Sequence, residues 1–259
     1  MAVIGAILGD IAGSQYEFNR PKDLDYHNCE LFTDKCVFTD DTVMTLAAKL
    51  AVRNHIPFAD SYREFGDKYP HAGYGGKFRM WLRYDNAEAY GSYGNGSAMR
   101  CSYIGEHFNS ESEVEEWAAK SAECTHNHPE GMKGAVVTAK CIYMARTGAS
   151  KKDILNYAVY QYPSDSYKYG ADRKLEDYRD VYQWSESCQG SVPAAIRCFI
   201  ESEDYVSFLR NVFSLPCDTD TLCAIGGGIA EEYYKGTGLD ADALLKKYLD
   251  DTLYGIVNV

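Results

Sequence analysis

The amino-acid sequence predicts an all-α protein, and three observations support this fold class. Apolar residues recur three and four positions apart in segment after segment, beginning with Val3, Ile7 and Leu8. The two-residue alternation that is typical of strands dominates no region, and no repeat of fixed period occurs. With 46% hydrophobic residues and no clear linker, we expect one domain over residues 1–259, folded as a compact orthogonal helical bundle.

Helical spacing recurs along most of the chain. One predicted helix runs through Tyr62 and Phe65, after Pro57. The periodicity fades over residues 161–187, where tyrosines and charged residues accumulate, so we expect a long loop or a loosely helical insertion there. The other predicted helices cover residues 2–12, 42–54, 111–123, 135–147, 153–160, 192–200, 204–213, 221–234 and 240–249.

The opening helix carries glycine at every fourth position, at Gly5, Gly9 and Gly13. Each glycine inside a helix costs about 1 kcal/mol relative to alanine. We therefore expect another backbone or a ligand to approach this helix closely. Three successive glycines at 226–228, within a later predicted helix, also indicate close packing.

Charge and cysteine content disfavour several function classes. A formal net charge of −12 argues against nonspecific binding to nucleic-acid phosphates or to an anionic membrane, although recognition of one modified nucleotide stays open. Nine cysteines, an odd number without a CxxC pair, indicate a reducing compartment. The sequence shows neither a signal-peptide pattern nor an apolar run long enough to span a bilayer, so we expect a soluble, cytoplasmic protein.

Two acidic stretches lie far apart in the sequence, each directly before a predicted helix. They are residues 38–42, with the sequence FTDDT, and residues 218–221, with the sequence DTDT. Either stretch alone is typical of a helix start, where Asp and Thr cap the backbone and carboxylates favour the positive end of the helix. The similarity of the two favours a shared role in which folding brings them together.

If the two stretches meet, their four carboxylates need a positive partner, and neither stretch contains lysine or arginine. A hard divalent cation such as Mg²⁺ takes carboxylate, hydroxyl and water oxygens as ligands. Six candidate oxygen-bearing residues leave room for two ions, an arrangement that often clamps the oxygens of a substrate.

Glycine-rich loops are predicted at residues 71–76 and 91–97. Backbone amides in such a loop, followed by a helix start, can hold phosphate oxygens. The spacing GSYGNGS at 91–97 is not the GxGxxG fingerprint, and no buried strand precedes it. A plain surface turn is therefore the alternative interpretation.

A short segment at residues 124–131, CTHNHPEG, contains a cysteine and two histidines. No second ligand pair occurs at the spacing of a zinc site, so zinc is disfavoured. His128 is a candidate for hydrogen bonding to a ligand, with a structural histidine as the alternative. Composition alone does not single out Glu17, an isolated acid in a predicted loop.

Taken together, these residues resemble the ADP-ribosylglycohydrolase family. The matching motifs occur in the family's order and span nearly the whole chain: Gly9-Asp10 with Gly13, FTDDT at 38–42, GNGSAMR at 94–100, HPEG at 128–131, and DTDT at 218–221 followed by AIGG at 224–227. The resemblance implies an all-helical fold whose cleft holds two Mg²⁺ ions, with Mn²⁺ as a substitute. The implied metal ligands are Thr39, Asp40, Asp41, Asp218, Asp220 and Thr221.

The resemblance also implies a site for ADP-ribose. Glu17 looks like the family's acidic residue beside the metals, and Glu17, Asp41 and Asp220 are the candidates for the catalytic carboxylate, which the sequence does not rank. Residues 161–187 and 19–35 depart from the family pattern, which leaves the acceptor in doubt. The residues implied to contact the diphosphate and ribose are Gly91, Ser92, Tyr93, Gly94, Asn95, Gly96, Ser97 and His128.

We therefore expect a magnesium-dependent hydrolase that cleaves the glycosidic bond between ADP-ribose and an acceptor and releases ADP-ribose. The expected partners are proteins ADP-ribosylated on arginine or serine, or a small conjugate such as O-acetyl-ADP-ribose, and an ADP-ribosylated nucleotide stays open. Two alternatives remain. One is a catalytically silent member that binds ADP-ribose or a partner protein, and the other is a metal-dependent phosphohydrolase that uses the same acidic centre.

Overall fold

The computed structural model describes residues 2–259, which form fifteen helices and no β-strand, so the all-α prediction is confirmed. The first eight helices are α1 (Ala2–Ser14), α2 (Asp40–Asn54), α3 (Phe58–Lys68), α4 (Gly76–Leu82), α5 (Gly96–Met99), α6 (Ser102–His107), α7 (Glu111–Glu123) and α8 (Pro129–Arg146). The remaining seven are α9 (Lys151–Gln161), α10 (Leu175–Arg179), α11 (Cys188–Ile200), α12 (Tyr205–Phe213), α13 (Thr219–Tyr234), α14 (Ala241–Tyr248) and α15 (Asp251–Val257).

The structure departs from the predicted helices at some of their ends and between them. α2 begins at Asp40 and α13 at Thr219, so each helix takes acidic residues into its first turn. Thr39 and Asp218 are the N-cap residues. The sequence reasoning missed five helices of at most seven residues, which carry too little periodicity to be recognised: α4, α5, α6, α10 and α15.

α1 and α13 lie in backbone contact at the centre of the molecule. A Cβ atom on Gly5 would collide with the carbonyl oxygen of Gly227, whereas one on Gly13 would lie 2.5 Å from the Cα of Asp220. Residue numbers rise along α1 as they fall along α13, so the helices are antiparallel and the end of α1 meets the start of α13. The predicted close approach is confirmed, and the approaching group is a backbone.

The N-terminal turn of α1 is bound by carboxylates of α13. Glu231 accepts a hydrogen bond from the backbone N–H of Gly5 at 2.6 Å, and Glu232 accepts one from that of Ala2 at 3.0 Å. These carboxylates satisfy N–H groups that a helix leaves free at its start. Burial raises the pKa of Glu231 to about 8, although the bond from Gly5 opposes this shift.

Residues 161–187 form turns around α10 and are held by tyrosine side chains. The Tyr178 hydroxyl donates to the carbonyl oxygen of Gly170 at 2.6 Å, and the Tyr182 hydroxyl donates to that of Gly190 at 2.9 Å. The ring centroids of Tyr169 and Tyr182 lie 4.4 Å apart. The segment is mostly loop with one five-residue helix, in agreement with the prediction of a long loop or a loosely helical insertion, and buried tyrosine hydroxyls hold it in place.

All nine cysteines are free thiols, and most of them pack as small apolar side chains in the core. Over residues 2–259, no helix has both the length and the apolar character that crossing a bilayer requires.

Candidate active site and metal centre

The two acidic stretches meet where α1, α2 and α13 come together. The Thr221 hydroxyl donates to Oδ2 of Asp41 at 3.3 Å, which links the start of α13 to the start of α2. Carboxylate oxygens of Asp10, Asp41 and Asp220 all lie within 4.8 Å of one another. The predicted meeting of the two stretches is confirmed, and α1 contributes a further carboxylate.

A second acidic group overlaps the first at Asp220. Carboxylate oxygens of Glu17, Asp218 and Asp220 lie within 4.8 Å of one another. Glu17 follows α1 in a turn and is half-buried, whereas the two aspartates are buried. Asp40 is partly buried and faces the same cleft.

Asp10 was not predicted as a site residue. Its carboxylate accepts four hydrogen bonds, from the backbone N–H groups of Thr39 (2.9 Å) and Thr42 (3.0 Å) and from the hydroxyls of Thr39 (2.7 Å) and Thr42 (2.5 Å). Asp10 thereby caps the first turn of α2 and fixes its direction towards α13. The available signal was a single charged residue within an otherwise apolar helix.

Burial is the largest cause of raised pKa values in the acidic groups. It raises the pKa of Asp10 to about 6, and with repulsion from neighbouring carboxylates it raises that of Glu17 to about 7 and that of Asp40 to about 8. The pKa values of Asp41 and Asp220 lie well above their usual range for the same two reasons. Over residues 2–259, no lysine, arginine or histidine forms an ion pair with these carboxylates.

This donor set fits a hard divalent cation. The available atoms are carboxylate and hydroxyl oxygens, which Mg²⁺ prefers. Oδ1 of Asp41 is buried and has no hydrogen-bond partner, a costly situation unless a cation or a water molecule binds it. A cation at this oxygen would also offset the repulsion among the carboxylates.

Except for the fully buried Asp10, the acidic residues line a cleft of about 560 Å³. This volume falls within the range of about 300–1,000 Å³ that is typical of sites for small molecules. The cleft is enclosed by the segment that leads into α4, the glycine-rich loop, and residues just before α11. The enclosing side chains include Phe18, Lys77, Arg79, Ser92, Asn95, His126, Trp184 and Glu186.

Asn95 fixes the glycine-rich loop to the acidic residues. Its side-chain amide donates to Oδ2 of Asp218 at 2.8 Å and to the Ser191 hydroxyl at 3.0 Å. Its backbone N–H donates to the carbonyl oxygen of Glu186 at 2.8 Å. The loop, the start of α13 and the residues before α11 therefore form one continuous surface.

A family profile described as ADP-ribosylglycohydrolase matches residues 1–255, nearly the whole chain. The chain belongs to the ADP-ribosylglycohydrolase family. It is a hydrolase that acts on ADP-ribosyl conjugates, as the sequence motifs predicted.

Relatives with this activity in their names resemble the chain over most of their length. The ADP-ribosylhydrolase ARH3 of Homo sapiens is 29% identical, over 89% of this chain and 83% of the relative. That of Mus musculus is 28% identical, over 89% of this chain and 82% of the relative. A solved structure named "ADP-ribosylglycohydrolase-related protein complex" has a TM-score of 0.73 at 22% identity, covers 98% of this chain and 93% of its own, and shows the same fold.

The residues of the glycine-rich loop that were predicted to contact ADP-ribose lie in three places in this ADP-ribosylglycohydrolase. Ser92 and residues 94–96 line the cleft. Gly91 and Tyr93 line an adjoining pocket of about 310 Å³ that also includes Ser92 and Gly94. Ser97 is buried beneath the loop, where its hydroxyl donates to the carbonyl oxygen of Gly131 at 2.7 Å.

His128 lies apart from the residues that line the cleft. It is exposed and is the N-cap of α8, where Nδ1 accepts a hydrogen bond from the backbone N–H of Glu130 at 3.1 Å. Its ring lies 5.2 Å from that of Tyr93, between centroids. Its contact with a ligand stays a prediction.

His126 lines the cleft, and the sequence reasoning passed over it. Nδ1 of His126 lies 2.7 Å from the Thr125 hydroxyl, which accepts a hydrogen bond from Arg100 at 2.8 Å. Burial, followed by the charge of Arg100, holds the pKa of His126 well below its usual range, so the ring is neutral. In the described part of the chain, Nδ1 is the acceptor within reach of the Thr125 hydroxyl proton, so we assign that proton to the bond with Nδ1, which leaves an Nε2–H donor beside Gly94 and Gly96.

Proposed function

We propose that the protein is a magnesium-dependent ADP-ribosylglycohydrolase that cleaves the bond between the distal ribose of ADP-ribose and an acceptor, and releases ADP-ribose. The observation that carries the proposal is the meeting of two acidic groups at the bottom of a cleft bounded by a glycine-rich loop. The acceptor is a protein side chain or a small conjugate. The single-domain organisation over residues 1–259 and the cytoplasmic location stay predictions.

The proposed metal centre uses residues from the starts of α2 and α13. When bound, two Mg²⁺ ions would neutralise the acidic residues and polarise oxygens of the substrate. Asp10 orients Thr39 and the following aspartates through its four hydrogen bonds. The proposed ligands are Thr39, Asp40, Asp41, Asp218, Asp220 and Thr221.

The glycine-rich loop and His126 bind the diphosphate in this proposal. The backbone N–H of Gly94 donates to the Ser92 hydroxyl and that of Asn95 to the carbonyl oxygen of Glu186, so Gly96, at the start of α5, is the residue that offers its backbone N–H to the cleft. His126 presents its Nε2–H as a donor beside Gly96. Lys77 and Arg79, near the start of α4, line the same cleft and add positive charge. Because Asn95 ties the loop to Asp218, binding of the diphosphate also positions the distal ribose over the acidic residues.

Hydrolysis passes through an oxocarbenium-like transition state, which negative charge beside the ribose stabilises. The oxygen of a water molecule bonds to the anomeric carbon, and the bond from that carbon to the acceptor breaks. The acceptor leaves with the bonding electron pair and takes up the proton that the water loses. Glu17, Asp41 and Asp220 are the candidates for the carboxylate that accepts the proton of the water. Glu17 is the least enclosed of the three, so a bound substrate reaches it most directly.

The decisive assay measures release of free ADP-ribose from a panel of ADP-ribosylated arginine, serine, nucleotide and O-acetyl conjugates. We expect EDTA to abolish the release and added Mg²⁺ to restore it. The double variant Asp40→Asn with Asp220→Asn should lose hydrolysis and bind Mg²⁺ more weakly, whereas Asp67→Asn, an exposed acid on α3, serves as the matched control.

Three results would contradict the proposal. Full activity of the double variant would show that the acidic residues are not the catalytic centre. Calorimetric binding of ADP-ribose without turnover of any conjugate would identify a silent binder. Release of AMP or phosphate in place of ADP-ribose would identify a phosphohydrolase.

A further inference from the structure

Two exposed aromatic side chains stack on each other at the edge of the cleft. Phe18 is 77% exposed and Trp184 is 40% exposed. Their ring centroids lie 5.6 Å apart, and the ring planes are inclined by 26°. Both rings keep much of their surface in solvent, so the pair contributes less to the core than buried aromatic residues do.

This aromatic pair belongs to the part of the cleft next to the acidic residues. Phe18 directly follows Glu17, and both aromatic residues line the main cleft. Neither of them lines the adjoining pocket, which the glycine-rich loop forms with Lys77, Glu186 and Ser187. An ADP-ribosyl group that extends from the acidic residues along this loop therefore leaves the aromatic pair free to contact the acceptor. Glu186 lines both the cleft and the adjoining pocket, so it lies at the boundary between the two spaces.

Glu186 adds an unpaired negative charge beside the aromatic pair. The indole N–H of Trp184 donates to Oε1 of Glu186 at 3.4 Å. In the described part of the chain, Glu186 forms no ion pair with a lysine, arginine or histidine. Its charge is among the causes that raise the pKa values of Glu17 and Asp218, so its field reaches the acidic residues.

We propose that Phe18, Trp184 and Glu186 form the acceptor subsite, and that this subsite selects a planar cation such as the guanidinium of ADP-ribosylated arginine. The inference rests on the proposed hydrolase function and names its acceptor class. A guanidinium keeps its charge and planarity when one nitrogen is bonded to ribose. It can therefore stack on an exposed ring and pair with a carboxylate, whereas a neutral serine acceptor offers neither interaction.

The test compares kcat/KM for ADP-ribosylated arginine with kcat/KM for an ADP-ribosylated serine peptide. The wild-type protein should prefer the arginine conjugate. Phe18→Ala and Trp184→Ala should each lower the arginine-to-serine ratio about tenfold, the effect of losing one cation–π contact. Phe18→Tyr keeps an aromatic ring and should retain the wild-type ratio. Glu186→Gln should lower the ratio, and the decrease should be larger at low salt than at high salt.

Two controls separate a lost contact from a damaged protein. Tyr160→Ala removes an aromatic side chain that is 82% exposed and lies outside the cleft, so the ratio should not change. Calorimetric titration with ADP-ribose, which has no acceptor, reports whether the rest of the site is intact in each variant.

Two results would overturn the acceptor assignment while leaving the hydrolase function standing. The first is a wild-type preference for the serine conjugate. The second is an equal loss of both activities in the Phe18 and Trp184 variants with ADP-ribose binding retained. Failure of the wild-type protein to hydrolyse either conjugate would instead refute the proposed function itself.

Discussion

The floor of the cleft rests on three helices, whereas its rim consists of exposed side chains on turns. By the floor we mean Asp41, Asp218 and Asp220, with the buried Asp10 beneath them, and by the rim we mean Phe18, Trp184 and Glu186. Backbone contact between α1 and α13 holds the floor together, and like charges are crowded there despite their repulsion. The rim makes few buried contacts. Rigid elements thus position the groups that need exact spacing, and turns carry the groups that choose a partner.

The largest expected effect comes from breaking the helix contact beneath the floor. The Cβ atom in Gly9→Ala would collide with the carbonyl oxygen of Cys223. Because this oxygen belongs to the backbone, no change of side-chain rotamer can relieve the collision. We expect a loss of at least about 3 kcal/mol in the free energy of unfolding, measured in urea.

The matched control for this substitution is Gly255→Ala in α15, where an added Cβ atom meets no heavy atom within 4 Å. It should stabilise the protein by up to about 1 kcal/mol, the gain for replacing glycine in a helix. If the urea midpoint of Gly9→Ala equals that of the wild-type protein, the backbone contact between α1 and α13 does not stabilise the floor.

The next prediction concerns the charge of the floor. In chelator, Asp41→Asn should raise the melting temperature, because it removes one buried charge from a crowded group. Saturating Mg²⁺ should raise the melting temperature of the wild-type protein by about 5–10 °C, and that of the variant by little. An equal rise in both proteins would argue against Asp41 as a ligand, and Asp67→Asn controls for the loss of an exposed acid.

A pH effect is expected at the far end of α1, away from the floor. Because the pKa of Glu231 is raised to about 8, the folded state retains a proton that the unfolded state releases near pH 4.5. The stability due to this group is therefore complete at low pH and declines as the pH rises to about 8. In Glu231→Gln, which keeps an acceptor for Gly5, the stability relative to the wild-type protein should improve by about 1–3 kcal/mol between pH 5 and pH 8.5.

Urea midpoints of both proteins at the two pH values test this prediction. Glu123→Gln, at an exposed position near the end of α7, is the control for a simple change in net charge. A difference that stays constant with pH would mean that Glu231 titrates normally.

The smallest effect is expected in the segment that supports the rim. Tyr178→Phe removes the hydroxyl that donates to Gly170, which should cost about 1 kcal/mol in the free energy of unfolding. The Mg²⁺-dependent rise in melting temperature should persist, because the floor rests on other elements. Its disappearance would show that the two regions are coupled, and Tyr160→Phe, at an exposed position, is the control.

The floor could largely be predicted from the sequence because its determinants are local. Asp and Thr at a helix start and glycine at every fourth position leave patterns that can be read over a few residues. Asp10 was not predicted as a site residue because its four hydrogen-bond donors lie about thirty positions away in sequence. The residues next to Asp10 do not show that folding brings these donors to its carboxylate.

The rim, and which of the two histidines lines the cleft, could not be predicted from the sequence because both depend on contacts between distant segments. His126 and His128 are two positions apart, and which of them lines the cleft is decided by His128 becoming the N-cap of α8. The tyrosines of residues 161–187 bond to carbonyl oxygens eight positions away, which leaves no periodic signal. The stacking of Phe18 on Trp184 joins segments that no motif connects.

The antiparallel pair of α1 and α13 joins the first helix of the chain to one of the last. About 200 residues separate Asp10 from Asp220. At a synthesis rate of roughly 5–20 residues per second, α1 waits roughly 10–40 s on the ribosome before its partner is made. Throughout that time the glycine-lined face of α1 lacks the helix that packs on it in the folded protein, and Asp218 and Asp220 are still missing from the acidic centre. A growing chain therefore cannot assemble the acidic centre until α13 has been synthesised.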